Sequence, residues 1–414
     1  MPCRYGSASG FRTSRFCVST YDRFGHFCSH RTRPPSRGPT TARFKSILDR
    51  VVANSDALQR NARAIGQDAF VDTITQRRLQ RIVLARQQLH ERSTDSIPGV
   101  LARVAGLQSQ YAPTMYIGLW SRLAGFARDD LTAALEQRVV VQGTMVRSTI
   151  HLVAAADYWP INLAIRDVRR AWYLRLRDSL TDEALTAAAD RVRAAFGESG
   201  TLTRKRLDGV AGPGAAAPHV GLWLDLVRVP PSGTWERRRA DLYALAESWV
   251  GSEPAMTADD AMDHVVRHYL TGFGPASIKE IASFTGMVVG GVKAAADRVA
   301  QRRFVAEDGT ELLDLDGLPL PEEDTPAPVR FLGNWEAVLL VHARRSLVLR
   351  EEDRPRIFAT RMPQSLPTFL VDGQVAGTWK FHEGRVVLDE WRQIPQAFRR
   401  NLREEAERLA EFHA

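Results

Sequence analysis

The stretch TADDAMDHVVRHYLTGFGPASIKEIASFTGMVVGGVKAAADRVAQRRFVAEDGTELLDL, from Thr257 to Leu315, decides the fold. Thr257 is a hydroxyl N-cap for a helix reaching Leu270, Pro275 opens a second helix over Ala276–Phe284, and Thr285–Gly286 marks a turn. Met287–Val299 supplies a third helix. Phe304–Leu315 then reads as a hairpin turning at Asp308–Gly309, because Asp-Gly accepts the positive φ angles of a two-residue turn. Helix, helix, turn, helix, wing is the order of a winged-helix domain.

Working outward, the same order repeats upstream. Leu79, Ile82, Val83 and Leu89 form an apolar stripe beside Arg77, Arg78 and Arg81. Ser96 caps a helix opened by Ile97 and Pro98, Pro113 opens another through Trp120, and Asp129 caps a third ending near Gln137. Val139–Gln142 and Met145–Val153 follow as β-rich segments. Further on, Thr181–Phe196, Thr203–Val210 and His219–Arg228 read as helices, with Arg228–Trp235 as a wing tipped by Pro-Ser-Gly. Downstream of Pro319–Pro328, a Pro-rich linker, the segments Ala337–Val341, Ser346–Leu349, Thr368–Val371 and Val375–Phe381 read as strands of a small sheet or barrel. Ile394–Phe412 is an amphipathic closing helix.

The expected class is therefore α+β, mainly α: tandem winged-helix units followed by a small C-terminal β-barrel. The expected organisation is a disordered basic tail at 1–50, winged-helix units at 73–180, 181–253 and 254–318, a barrel at 329–393 and a helix at 394–414.

The chain has 414 residues, 44% hydrophobic and 25% charged, an ordinary globular balance. Its net charge of +8 suggests a nucleic-acid partner until its position is considered. Residues 1–50 hold ten Lys and Arg against Asp22 and Asp49, which accounts for the whole excess; the other 364 residues carry 46 basic and 46 acidic side chains. DNA binding by the body must therefore rest on local patches.

Cys3, Cys17 and Cys28 also lie in the tail, too few and too widely spaced for a disulfide framework. The tail has the composition of a transit leader or a polycationic arm. Cys28 with His26 or His30 makes a weak zinc set, and a dispensable start is the preferred reading. No run approaches the ~18 apolar residues of a membrane span, so no membrane partner is expected.

Several chemistries have no motif here. There is no phosphate-cradling loop ending in Gly-Lys-Ser/Thr, no strand-borne Gly-x-Gly-x-x-Gly, no His-Glu-x-x-His and no Gly-x-Ser-x-Gly elbow. No metal and no organic cofactor is expected, and any chemistry falls to neutral polar groups. The most unusual such stretch is Gly106-Leu107-Gln108-Ser109-Gln110, before Tyr111 and Pro113. Gln108 and Gln110 stand two apart, so an extended backbone turns both carboxamides to one side, where they can hold a water. Met145–Leu152 alternates, placing Arg147, Thr149 and His151 on one strand face.

Four motifs in this order, Leu-Gln-Ser-Gln, Arg147-Ser148-Thr149-Ile150-His151-Leu152, Gly272–Gly274–Pro275–Ala276 and Val371-Asp372-Gly373 through Gly377-Thr378-Trp379, resemble the AlkZ/YcaQ winged-helix DNA glycosylase family. The resemblance runs from about Thr73 to about Pro395. It implies a concave DNA-binding surface of tandem winged helices and a C-terminal barrel, double-stranded DNA as partner, and excision of alkylated purines, in some members from interstrand crosslinks. The family's catalytic motif, Gln, an aliphatic residue, then Gln or Asp, falls on Gln108, Ser109 and Gln110. Both glutamines match; Ser109 departs from the aliphatic middle residue.

A carboxamide is not a base, so this site suits a leaving group that needs no proton abstraction. A purine alkylated on a ring nitrogen is already cationic and leaves neutral. Arg147 is a candidate to hold a phosphate beside the lesion, and His151 to hydrogen-bond a glutamine or the DNA backbone; equally, both can serve only to tie the first wing to the helix containing Trp120. Arg204, Lys205 and Arg206, with Arg237, Arg238 and Arg239, are candidate phosphate contacts or simply solvated faces. The leading expectation is a monofunctional, monomeric glycosylase in the cytoplasm, associated at most with the nucleoid. The rival is a non-catalytic winged-helix regulator.

Overall fold

The computed structural model describes residues 72–176, 180–213, 217–340, 342–358 and 365–414; the tail at 1–50 lies outside them. The strands are β1 (Thr73–Ile74), β2 (Leu107–Gln108), β3 (Val140–Thr144), β4 (Ile150–Ala154), β5 (Leu202–Thr203), β6 (Leu226–Arg228), β7 (Leu242–Leu245), β8 (Arg302–Ala306), β9 (Glu311–Asp314), β10 (Arg330–Leu332), β11 (Thr368–Val371), β12 (Gln374–His382) and β13 (Arg385–Glu390). They form three sheets, ordered β1-β8-β9, β2-β4-β3-β6-β7-β5 and β10-β11-β12-β13. The fold is mixed α+β.

In the stretch from Thr257, local chemistry sets the boundaries. Thr257 and Asp260 make a reciprocal capping box for the helix Ala258–Phe273, and Ser277 and Glu280 make another for Ile278–Thr285. Gly286, at φ 77°, ends that helix in the left-handed conformation, which glycine adopts without steric cost. Val289–Val299 follows, then the β8–β9 hairpin. Tyr269, Phe273 and Phe284 pack with centroids 5.0–5.2 Å apart. Gly274 is required by space: a Cβ there would stand 2.5 Å from the Leu270 carbonyl and 2.6 Å from an Asp314 carboxylate oxygen.

The helix Gln76–Arg86 packs across the chain rather than with its sequence neighbours. Thr75 caps it, and Leu79, Ile82 and Val83 are buried. Buried Arg81 reaches Asp372 at the β11–β12 turn, and Arg86 forms a bidentate pair with Asp314 at 2.9 and 3.2 Å. β1 runs parallel to β8. The Asp372–Gly373 turn is thus packed against this helix: a Cβ on Gly373 would lie 2.8 Å from Arg81 and from Leu84.

The six-stranded sheet draws β2, β3 and β4 from the first expected unit and β5, β6 and β7 from the second. β3 and β6 pair antiparallel through Gln142–Arg228 and Gly143–Val227.

Three expectations are corrected, and one helix was not foreseen. Among the described residues, 329–393 form no closed barrel: β10 and β13 are the edges of an open sheet. Ala337–Leu340 and His342–Val348 are helices, not strands. All four residues of the first are buried, so the run has no exposed face and shows no periodicity to separate the two forms. Within His219–Arg228, the helix covers only Ala217–Val220, and Leu226–Arg228 is β6, inserted between β3 and β7. Finally, Ala155–Arg175 is a 21-residue helix that the sequence concealed, because Pro160, normally a helix breaker, lies inside it.

Candidate active site

Gln108 sits on an edge strand fixed by its neighbours. Gly106 turns the chain at φ +74°, and a Cβ there would stand 2.9 Å from Val153 and 3.0 Å from the Leu152 carbonyl, so only glycine lets β2 approach β4 this closely. β2 then pairs antiparallel with β4, with Gln108 opposite His151. The Ser109 N–H donates to the Ile150 carbonyl at 2.8 Å, and the Ile150 N–H donates to Gln110 Oε1 at 3.3 Å. Gln108 is buried and Gln110 half-buried.

Arg147 is not in a strand, contrary to the alternation of Met145–Leu152. Val146–Ser148 is a tight 3-10 turn in which Arg147 (φ 54°) and Ser148 (φ 55°) are both left-handed, and β4 begins only at Ile150. Such conformations cost non-glycine residues roughly 1–3 kcal/mol each and persist only where surrounding contacts hold them. Here the contacts hold the guanidinium. Nη2 donates to Gln108 Oε1 at 3.3 Å, Nη1 donates to the Phe284 carbonyl at 2.5 Å, and the group lies 4.4 Å from the Phe284 ring centroid. Phe284 comes from the third helix-rich segment, and no local sequence signal connected it with Gln108.

His151 faces the interior. Its Nδ1 lies 3.1 Å from the Thr149 carbonyl and 3.4 Å from Thr149 Oγ1. Burial, reinforced by the Arg147 charge, lowers its pKa to about 3, so the ring is neutral at physiological pH. It lines a cavity of about 20 Å³, room for about one water, with Met145, Val146, His268 and Phe284.

The low pKa has a signed consequence. Below pH 6.5 the unfolded chain binds a proton at this histidine that the folded chain refuses. Its contribution is therefore intact above pH 6.5 and lost progressively as pH falls toward 3. Between pH 7 and 5 the loss is about 2 kcal/mol. Urea unfolding at the two pH values should show a smaller pH 7-to-5 decrease for His151→Gln than for the parent; equal decreases would contradict the assignment.

The two arginine clusters occupy different places. Arg237, Arg238 and Arg239 are exposed on a loop held by buried Ser232, whose Oγ accepts from the Asp241 and Leu242 N–H groups. Arg238 Nη1 donates to the Tyr111 hydroxyl at 3.0 Å, which brings this loop beside the segment that follows Gln110. Arg237 and Arg239 each lie 3.5 Å from Asp241. Arg204–Arg206 opens the helix Arg204–Ala211, where Arg204 pairs with Asp208 at 2.7 Å while Lys205 and Arg206 are exposed. That helix follows β5, at the opposite edge of the sheet from Gln108. Five strand spacings separate the two, about 24 Å.

Ser109 is 2% exposed, and its Oγ has no hydrogen-bond partner among the described residues. Burying a hydroxyl without a partner costs about 1–3 kcal/mol. Ser109→Ala should accordingly raise the unfolding free energy by about 1 kcal/mol, read as a higher urea midpoint. A lower midpoint would mean that the hydroxyl is satisfied.

Two comparisons place this chain among known proteins. The family model described as DNA glycosylase AlkZ-like matches residues 101–412. Among solved structures, the Streptomyces sahachiroi DNA glycosylase AlkZ superposes with a TM-score of 0.69 at 17% identity, over 82% of this chain and 97% of that one, a likeness of fold. No curated protein sequence matches the chain. DNA glycosylases hydrolyse N-glycosyl bonds. The chain belongs to the AlkZ-like DNA glycosylase family. No helix among the described residues is long and apolar enough to cross a membrane.

Proposed function

We propose that this chain is a monofunctional glycosylase that binds duplex DNA and excises purines alkylated on a ring nitrogen, crosslinked adducts included, with Gln108 and Gln110 as its catalytic residues. The observation that carries the reading is the clamped Gln108 carboxamide, whose oxygen already accepts from Arg147. A carbonyl oxygen has two lone pairs, so one remains to orient a water.

The reaction balances without a strong base. The cationic purine departs with the glycosidic electron pair as a neutral molecule. Water oxygen bonds to C1′ through an oxocarbenium-like transition state, and the surplus proton passes to solvent. The protein's part is to place the water and direct carboxamide dipoles at the developing positive charge. Arg147 acts as a positioning residue through Gln108. His151, buried and neutral, supports the strand opposite it.

The helices of 73–180 and 254–318, each leading into a hairpin, β3–β4 followed by the helix Ala155–Arg175 and β8–β9, support reading these segments as winged-helix units, with 181–253 as a third that shares the central sheet. Lys205, Arg206 and the Arg237–Arg239 loop supply phosphate contacts. A separation of about 24 Å corresponds to roughly seven base-pair rises along a duplex.

The test is base release from matched duplexes carrying a ring-nitrogen-methylated purine, a crosslinked purine or uracil. The expected result is release of the cationic bases and none of uracil, whose departure needs a general acid that the glutamines do not provide. Uracil release at a comparable rate would refute the mechanism. DNA binding without release from any duplex would favour the regulator.

A further inference from the structure

The helix Ala258–Phe273 carries His264 and His268 at i,i+4, the spacing that puts two imidazoles on one face. Asp157, in the first turn of the helix Ala155–Arg175, meets them across the interface between these helices. Each of the three offers one ligand atom, and these atoms lie within 4.8 Å of one another. His264 Nε2 is 3.1 Å from Asp157 Oδ1, and the two imidazole rings stack at 5.7 Å with 20° between their planes. We propose that Asp157, His264 and His268 bind a divalent first-row transition metal, with Zn²⁺ as the ion that this donor set suits. The inference is independent of the excision mechanism.

An Asp–His pair alone does not account for the cluster. It uses one carboxylate oxygen and one ring, leaving Asp157 Oδ2 and His268 Nε2 buried with no hydrogen-bond partner among the described residues. Two unpartnered polar atoms facing a third donor are what a bound cation satisfies. The two imidazoles favour zinc or a neighbouring transition metal over magnesium or calcium, which take oxygen ligands. Tetrahedral zinc with bonds of about 2.0–2.1 Å needs its donors roughly 3.4 Å apart, so closure of up to about 1.4 Å by side-chain rotation completes the site. His264 is 31% exposed on its side chain, but its Nε2 is buried together with Asp157 Oδ2 and His268 Nε2.

The metal's role would be structural. Asp157 stands three residues beyond β4, the strand paired with Gln108, while the histidines belong to the segment that supplies Phe284 beneath Arg147. A metal between these helices would fasten together the two elements that frame the arginine, without touching either glutamine.

The experiment is a titration of the chelator-stripped full chain with Co²⁺, followed by visible d–d absorption and then displacement with Zn²⁺. One equivalent of Co²⁺ should give bands that Zn²⁺ abolishes, and Zn²⁺ should raise the melting temperature of the folded chain. Asp157→Asn and His264→Ala should each weaken binding by roughly 100-fold or more, since loss of even an outer-shell partner costs 10–100-fold. Both variants should keep the circular dichroism of the metal-free parent, and His264→Ala, changing the most accessible ligand, guards against misfolding of the other. A folded parent that gives no stoichiometric bands overturns the proposal. So do bands that survive in both folded variants, or that disappear only when Cys3, Cys17 and Cys28 are changed to serine.

Discussion

Gln108→Ala/Gln110→Ala is expected to bind duplex DNA as the parent does and to release a methylated purine roughly 10²–10⁴ times more slowly. Removing one preorganised dipole from a charge-developing transition state typically costs 10²–10³ in rate. The two carboxamides act on the same water and the same sugar cation, so their effects will not multiply, and Gln108→Ala alone should account for most of the loss. Each substitution also exposes a different dependency. Without Gln108, the Arg147 guanidinium keeps its bond to the Phe284 carbonyl and its place over the ring, so the left-handed turn has support. Without Gln110, the Ile150 N–H loses its acceptor at the start of β4. Single-turnover base release, measured beside DNA affinity and circular dichroism, separates chemistry from binding and folding. A folded, DNA-binding double variant within tenfold of the parent rate would remove the glutamines from the mechanism.

The largest expected stability effect lies away from the site. Arg86 and Asp314 are both buried, joined by two hydrogen bonds, and Arg86 Nη1 also donates to the Leu270 carbonyl at 3.2 Å. Asp314→Ala would leave a guanidinium in the interior without its counter-charge, at a cost of about 3–5 kcal/mol. Replacing both partners by apolar residues of similar size, Arg86→Met/Asp314→Leu, should recover most of that loss, because no charge then remains to desolvate. Urea unfolding of the single and double variants reads both effects. If the double variant is as unstable as Asp314→Ala, packing or the Leu270 contact, rather than the stranded charge, sets the cost. The buried Arg122–Glu336 pair, with contacts at 2.6 and 3.2 Å, poses the same question at a second place.

Helix starts were the most legible features because they are local. Ser96 and Thr257, read as caps, and Thr181 and Thr203, read as starts, each cap a helix with a side chain that accepts from a backbone N–H three residues on; Asp129, read as a cap, instead lies in the first turn of Arg128–Glu136, whose N-cap is Ala127, and Ser277 rather than Pro275 starts the helix Ile278–Thr285. Gly106, Gln108 and Gln110 could be singled out because that run is chemically unusual. What could not be read depends on partners far along the chain. Leu226–Arg228 is a strand because β3 and β7 flank it. Arg147 departs from strand alternation because Phe284 and Gln108 hold its side chain. Asp157, His264 and His268 belong to two helices, one of them hidden by Pro160, so no single-segment motif could have brought them together.

The contact between Arg81 and Asp372 spans 291 residues, and this gives the helix Gln76–Arg86 a history as well as a position. A ribosome adding about 5–20 residues per second leaves Arg81 without its partner for about 15–60 s. Throughout that interval Gln80, Arg81 and Leu84 have no β11–β12 turn against which to close, and β1 waits for β8. The first helix of the described residues to be synthesised is therefore among the last to settle. During translation, the Arg77–Arg81 face is a positively charged, partly apolar surface held open to whatever chaperone or nascent segment meets it first.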